Sequence, residues 1–555
     1  MNVTTTANAP QERRAVTLVM ACLGVFVGYL PVTAVAVSLP AIQRALDTST
    51  SQLSWVQDAF VLPMAALILT AGVFGDVHGR KKVYQAGLAF SAMGALIALC
   101  AQSIQVVWVG QACAGLGAAA LLPTTLAMIS HAVPDHRERG KFIGIWATFL
   151  MASLATGSLM AGTVLEHFAW RWIYVGPAAV AVAALSVSVK LLTDSRAPGS
   201  RRLDWSGQFT AALAITALVY GIIEGGAGSF TDAKVLVALC VAAVSAIAFV
   251  LVERRSSSPM LDLTLFRSPA FTATTLIAMI TFLGLIGFFF ALSLYFGLVQ
   301  NQSTLQGAFR LAVISGVPLV LGAPVGQLMH RVSPRLLIPG GLLVTAGALL
   351  SLTGIDADTS YLSLTWRLAL LGLGLAFVVT PMTATAVSSV PFHQAGMAAA
   401  ANNAFRQVGG ALGPAVLGAI LSTRAVHALP GHLTDAGLTR AAADRIASAA
   451  DADGLGAVAG LDLGADQGRA MAALSESFLD GLHLCLVIAA VLTLLAAAVG
   501  AALLRAPGHA APPGPTSRRQ RAPRHRRTGR RTARRRRDRG DSDRPVSNPE
   551  ARDGS

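Results

Sequence analysis

Charge is scarce in this chain: only 13% of its 555 residues are Asp, Glu, Lys or Arg, while 54% are hydrophobic. A water-soluble globule cannot cover itself with so little charge, so that class is excluded. Cysteine is nearly absent. Cys22, Cys100, Cys113, Cys240 and Cys485 all sit in apolar runs with no paired or metal-ligand spacing, which argues against a disulfide framework and a thiolate metal centre. No phosphate-binding loop of the G-x-x-x-x-G-K-S/T kind occurs, so direct ATP drive is not supported. The "GLGAAA" run at 115–120 lies inside a helix-length apolar stretch and does not follow a strand, which disqualifies it as a dinucleotide site. No nucleophile–base pair or metal cluster stands out, so neither an enzyme nor a cofactor is expected. Ten-residue segments of period-two alternation are also missing, and with them the signature of a membrane β-barrel.

What is present is a series of apolar stretches of about 20 residues, each long enough to cross about 30 Å of hydrocarbon as a helix. They number about fourteen, the first near 16–39 and the last near 478–504. Basic residues set the expected orientation, because Lys and Arg in short loops are retained on the cytoplasmic side. With the N-terminus inside, cytoplasmic loops hold Arg13, Arg14, Arg80, Lys81, Lys82, Arg137, Arg139, Lys141, Arg254, Arg255, Arg331 and Arg335. The external short loops hold little beyond Arg44, Arg171, Lys234 and Arg367. Both termini are therefore expected in the cytoplasm. The formal charge of +15 belongs mostly to residues 505–555, a Pro-, Gly- and Arg-rich tail that cannot bury a core and is expected to be disordered beside anionic lipid. Its basicity is not read as nucleic-acid binding. The Ala/Gly/Asp-rich stretch 423–477 is expected as a long external loop; its Asp451/Asp453/Gly456 spacing only faintly resembles a calcium loop, since Leu455 interrupts it.

Between the second and third spans stands "GVFGDVHGRKK". Gly72, Asp76, Gly79, Arg80 and Lys81 put an acid at one helix end, a glycine at a tight turn and cations at the start of the next helix. A worn second copy, "GQLMHRVSPR" from Gly326 to Arg335, suggests an internal repeat of the kind transporters use. In the fifth span, Ser153, Gly157, Ala161 and Gly162 form a small-residue face suited to close helix packing.

Several segments in order, "WVQDAFVLPMAALILTAG", "AGLGAAALLPTTLAMI", "RERGKFIGIW", "WRWIY", "PMLDLTLF" and "AGMAAAANNAFRQVGGALGPAVLGAIL", resemble the major facilitator superfamily, in its fourteen-helix drug:proton antiporter branch of the EmrB/QacA type. The resemblance implies an all-α membrane protein of 6+2+6 helices. Its expected parts are a cytoplasmic N-terminus (1–15), a six-helix bundle (16–193), two inserted helices (194–269), a second six-helix bundle (270–504) and the tail (505–555). It also implies export of amphipathic or cationic small molecules in exchange for protons, by alternating access in the cell membrane.

The chain departs from that family at two places. Where the first helix usually carries an aspartate, "VGYLP" has Pro31, and where the fourth usually carries an arginine, "VGQACAGLG" has Gln111. Losing both members of a buried pair is coherent, because one alone would be stranded in hydrocarbon. Pro31 is then either a tolerated kink or, with Tyr29, part of a cavity wall. Asp58 becomes the clearest membrane-embedded acid of the first half, about five residues and roughly 7 to 8 Å into the second span. It is a candidate proton or cation site, or a hydrogen-bonded residue of an external vestibule. Arg406, with Asn402, Asn403 and Gln407, makes the thirteenth span polar at one end, and Glu224 ends the seventh. The alternative to antiport is a facilitator or narrow-substrate transporter whose coupling is altered or lost. A non-transporting receptor or scaffold using the basic tail is a third class.

Overall fold

The structure, a computed structural model, describes residues 8–48, 50–133, 136–195, 204–256, 258–329, 331–391, 394–453 and 464–504. His330, Gly456 and the Arg-rich tail lie outside them. Among the described residues, fourteen helices are long and apolar enough to cross a bilayer, and no strand occurs. The first bundle comprises α1 (Asn8–Leu46), α2 (Thr50–His78), α3 (Arg80–Leu99), α4 (Ile104–Ala132), α5 (His136–His167) and α6 (Val175–Leu191). Two inserted helices follow, α7 (Trp205–Ala227) and α8 (Ala233–Arg255). The second bundle contains α9 (Pro269–Leu294), which ends in a π turn at Tyr295–Val299, then α10 (Thr304–Leu328), α11 (Pro334–Leu352), α12 (Tyr361–Ser388) and α13 (Ala395–Asp435). A short α14 (Arg440–Asp453) precedes α15 (Gln467–Leu503), which completes the second bundle.

The ends of these helices are written locally. The Asp204 carboxylate accepts from the Gly207 N–H at 2.8 Å and caps α7. Ser268 caps α9, whose first residue is proline, and Ser303 with Gln306 forms a capping box on α10. Asp204 lies outside the spans. Burial pushes its carboxyl up, but donors from Gly207, Ser256 and Ser206 outweigh that and hold it below its ordinary value.

Small residues decide the crossings. Gly87 and Gly117 let α3 and α4 touch through their backbones, and Gly341 and Gly374 do the same for α11 and α12, which repeats the first-bundle geometry in the second. The bundles meet along two seams, α5 against α10 and α2 against α13. On α5, the Ser153 hydroxyl donates to the Phe26 carbonyl of α1 at 2.6 Å, and Gly157 faces the Leu30 carbonyl and Thr33. Ala161 is fully buried, and Gly162 abuts Leu305 and Ala308 of α10. The small-residue face thus joins α1 on one side and the second bundle on the other.

The helix α1 continues through both Pro31 and Pro40 to Leu46. The carbonyl of Ala36, which Pro40 cannot engage, instead accepts from the Ser293 hydroxyl of α9 at 2.9 Å. The stretch 423–477 is not a loop for most of its length. α13 carries on to Asp435, α14 packs against it, and α15 begins at Gln467, because this Ala-rich segment forms helix readily and buries Leu429, Leu433 and Ile446 against its neighbours. The expected limit at 193/194 falls between α6 and α7, that at 15/16 inside α1 and that at 269/270 in the first turn of α9.

Replacing Gly157 with Val should drive a side chain into the Leu30 carbonyl and lower stability by about 1–3 kcal/mol. Gly284→Ala, at a site with nothing within 4 Å, should be neutral or stabilising by up to about 1 kcal/mol. Thermal unfolding in detergent checks both.

Candidate functional site

Buried polar side chains gather where the bundles face each other. Tyr29 of α1 is 1% exposed, and its hydroxyl accepts from Gln407 Nε2 of α13 at 2.6 Å, a bond between bundles. Arg406, one residue earlier, is equally buried; it lies over the Phe282 ring at 4.7 Å and donates one Nη2 bond of 2.7 Å to Thr383 of α12. Its Nε and Nη1 have no hydrogen-bond acceptor, although the guanidinium interacts electrostatically with Tyr29. Asn402 Oδ1 and both amide atoms of Asn403 are likewise unpartnered.

Asp58 is fully buried in α2, eight residues after Thr50 and so about 12 Å along the axis. The helix thus begins before the apolar run does, so Asp58 stands further from the helix end than from the end of the run. Neither carboxylate oxygen has a hydrogen-bond partner, nor does either amide atom of the adjacent Gln57. The reading of Asp58 as a hydrogen-bonded vestibule residue is not what the geometry offers. One turn on, Val61 lies beside Gly410 and Gln407 of α13, so this stretch of α2 borders the same seam. Gln111 of α4 donates to the Tyr174 hydroxyl at 3.1 Å, while its Oε1 has no partner. The structure therefore brings Tyr29 and Arg406 together, keeps Gln111 with Tyr174 inside the first bundle, and leaves Asp58 without a cation. Pro31 is buried within the continuous helix α1, about half a turn from Tyr29.

A cavity of about 1180 Å³ opens elsewhere, toward the end of the molecule where α1 finishes. Val37, Pro40 and Arg44 wall it from the first bundle, and Phe296, Gly307 and Leu311 from the second. This face is called the far face below, and the one where α1 begins the near face. The vestibule was not legible in the sequence; the nearest local signals are the left-handed residues Asp47 and Asn301 at its rim, with φ of 49° and 46°.

At the near face, Arg80 bonds Asp76 Oδ1 through Nη2 at 2.9 Å and Nε at 3.2 Å, and donates through Nη1 to the Ala127 carbonyl of α4. Gly79 takes φ 109°, and its missing Cβ makes room for the Asp194 carboxylate, which accepts from the Lys81 N–H at 3.2 Å. Lys81 Nζ donates to the Val189 carbonyl at 3.1 Å, and Gly72 lies against Pro123. These hydrogen bonds tie the turn to its own bundle. Asp194, a residue that sequence reasoning passed over, fixes it.

The family model of the Major Facilitator Superfamily matches residues 21–414. The chain belongs to that superfamily. Among similar proteins, the multidrug resistance protein Stp of Mycobacterium tuberculosis is 33% identical over 417 residues, 75% of this chain and 78% of the relative. The tetracenomycin C resistance and export protein of Streptomyces glaucescens is 31% identical over 500 residues, 89% of this chain and 92% of the relative. The crystal structure of the human organic anion transporter MFSD10 (TETRAN) has the same fold, with a TM-score of 0.58 at 13% identity over 88% of this chain and 99% of that one. This major facilitator protein is thus a multi-pass membrane transporter and not an enzyme, and fourteen spans agree with the drug:proton antiporter branch.

The bond between Tyr29 and Gln407 should appear as energetic coupling between the bundles. A double-mutant cycle with Tyr29→Phe and Gln407→Leu is expected to give about 0.6–1.7 kcal/mol in unfolding measurements, while Gln111→Leu paired with Gln407→Leu should be additive.

Proposed function

We propose that this transporter exports amphipathic or cationic small molecules in exchange for protons, alternating access between its two bundles, with the near face in the cytoplasm. The observation that carries the reading is the state of Asp58: a carboxyl fully buried in a span with no hydrogen-bond donor on either oxygen. An ionised carboxylate so placed is expensive in hydrocarbon, whereas a neutral acid is tolerated. A closed, empty site therefore favours the protonated acid, and opening to water or to a cationic substrate favours its loss of the proton. Mutual exclusion of proton and substrate at one carboxyl is sufficient to couple their movements. Arg406 and Tyr29 would line the other wall of that path, with the turn from Gly72 to Lys81 as the near-face gate and the far-face vestibule as the exit.

The names of the relatives support export: one is a multidrug resistance protein and another a resistance and export protein. Placement of the basic residues supports the orientation, since Arg14, Arg80, Lys81, Lys82, Lys141, Lys190, Arg254, Arg255, Arg267, Arg331 and Arg335 fall at near-face helix ends, against Arg44, Arg171, Lys234 and Arg367 at the short far-face turns and Arg424, Arg440, Arg445 and Arg469 in the longer segment from the end of α13 to the start of α15. The tail would then meet anionic lipid of the inner leaflet. One observation favours the second reading, a transporter without proton coupling: Gln111 bonds Tyr174 and Pro31 bonds nothing by its side chain, so the usual acid/base pair is replaced by neutral groups.

Transport of a lipophilic cation into proteoliposomes under an imposed pH gradient tests the choice. Gradient-driven flux is expected in the native protein, and Asp58→Asn should lower it by about tenfold or more, the scale of ordinary coupling free energies. Flux that ignores the gradient in both proteins would instead support the uncoupled reading.

A further inference from the structure

Between α8 and α9 the chain runs through Ser258–Ser268 at the near face, a stretch too short and too polar to span a membrane, with a 3-10 turn at Leu263–Arg267. It is tied to both bundles. On the first, the Thr70 hydroxyl of α2 reaches the Met260 sulfur at 3.2 Å and also contacts the amide oxygen of Gln208, which belongs to α7. Gln208 in turn donates to the Ala66 carbonyl of α2 at 2.8 Å. On the second, Asp262 accepts from Gln394 Nε2 at 3.2 Å, its N–H points to the Met397 sulfur at 3.2 Å, and Ser268 donates to the Ser389 carbonyl at 3.1 Å. Leu261 and Leu265 are buried in one apolar cluster with Ala386 of α12 and Ala398 and Ala401 of α13, and Leu69 of α2 packs against it.

Opening at the near face means parting α2 from α13 along their seam, and the strap crosses that line. Its bonds to the second bundle are several. Its hold on α2 is Met260 on Thr70 and the apolar contact of Leu69. The weaker edge is the one that must give.

We propose that Ser258–Arg267 is a near-face latch, seated here in its closed position, which lets go of α2 each time the near face opens; Gln208 and Thr70 are its positioning residues. The inserted pair α7 and α8 then has a mechanical task, since it delivers the latch and holds α2 beside it. The inference rests on the alternating-access reading above.

The test uses the full chain with its native cysteines replaced and Thr70→Cys/Met260→Cys introduced, bridged by a short bifunctional thiol reagent and later reduced. Two quantities are read in proteoliposomes: lipophilic-cation flux, and deuterium uptake at the near ends of α2 and α13, which reports opening whether or not anything is transported. Bridging is expected to cut flux by about tenfold and slow deuterium uptake at both ends, with reduction restoring both. A bridge at Asp262→Cys/Gln394→Cys, on the edge that stays shut, should leave both unchanged. Deuterium uptake indifferent to the Thr70–Met260 bridge overturns the latch whatever the flux does. Uptake slowed by the bridge with no flux in any form supports the latch and removes the export reading instead. Met260→Ala, which adds no thiol, should speed uptake at the α2 end; unchanged uptake there counts against the latch.

Discussion

Inside hydrocarbon a polar group has no water to fall back on, and the architecture of this protein follows from that constraint. Ala36 illustrates it. Its carbonyl loses its helical partner to Pro40 and accepts instead from Ser293 of the other bundle. Tyr29 and Gln407 satisfy each other across the same divide, and Gln208 reaches a carbonyl of α2. Apolar side chains give little preference for a helix neighbour over lipid, so polar bonds and close glycine crossings decide which helices pair.

Unpartnered buried atoms occur in several helices, Gln111, Thr124 and Thr275 among their owners, but Gln57, Asp58, Asn402, Asn403 and Arg406 carry nine of the twenty among the described residues, and these five belong to α2 or α13, the helices that meet at one seam. A folded chain normally satisfies such atoms. Leaving them bare where two bundles must separate means that opening the seam to water costs less than opening a finished network would. The unsatisfied groups lower the free-energy difference between closed and open forms, which a transporter has to keep small.

Much of this was legible in advance. The apolar runs located the spans, the glycine at position 79 marked the turn between α2 and α3, and an acid in a span drew attention to Asp58. Helix ends were less so: α2 starts earlier than its apolar run, and α13 continues as helix where composition suggested a loop. What no local pattern could supply was partnership. Tyr29 and Gln407 are 378 residues apart, and nothing near either names the other. Gln208 and Asp194 were passed over, and "PMLDLTLF" was noted only as a resemblance, for the same reason: their meaning lies in which distant element they touch.

The inserted helix α7 touches both bundles. Gln208 and Tyr220 meet α2, the latter through Trp55 at 6.1 Å between rings, while Gly226 lies directly on Ala419 of α13. One of the two seams is therefore roofed by an inserted helix, and among the described residues neither inserted helix packs to a like extent on the α5–α10 seam. A lipophilic molecule diffusing in the plane of the bilayer meets an asymmetric object, with a bare boundary on one flank and a wall on the other.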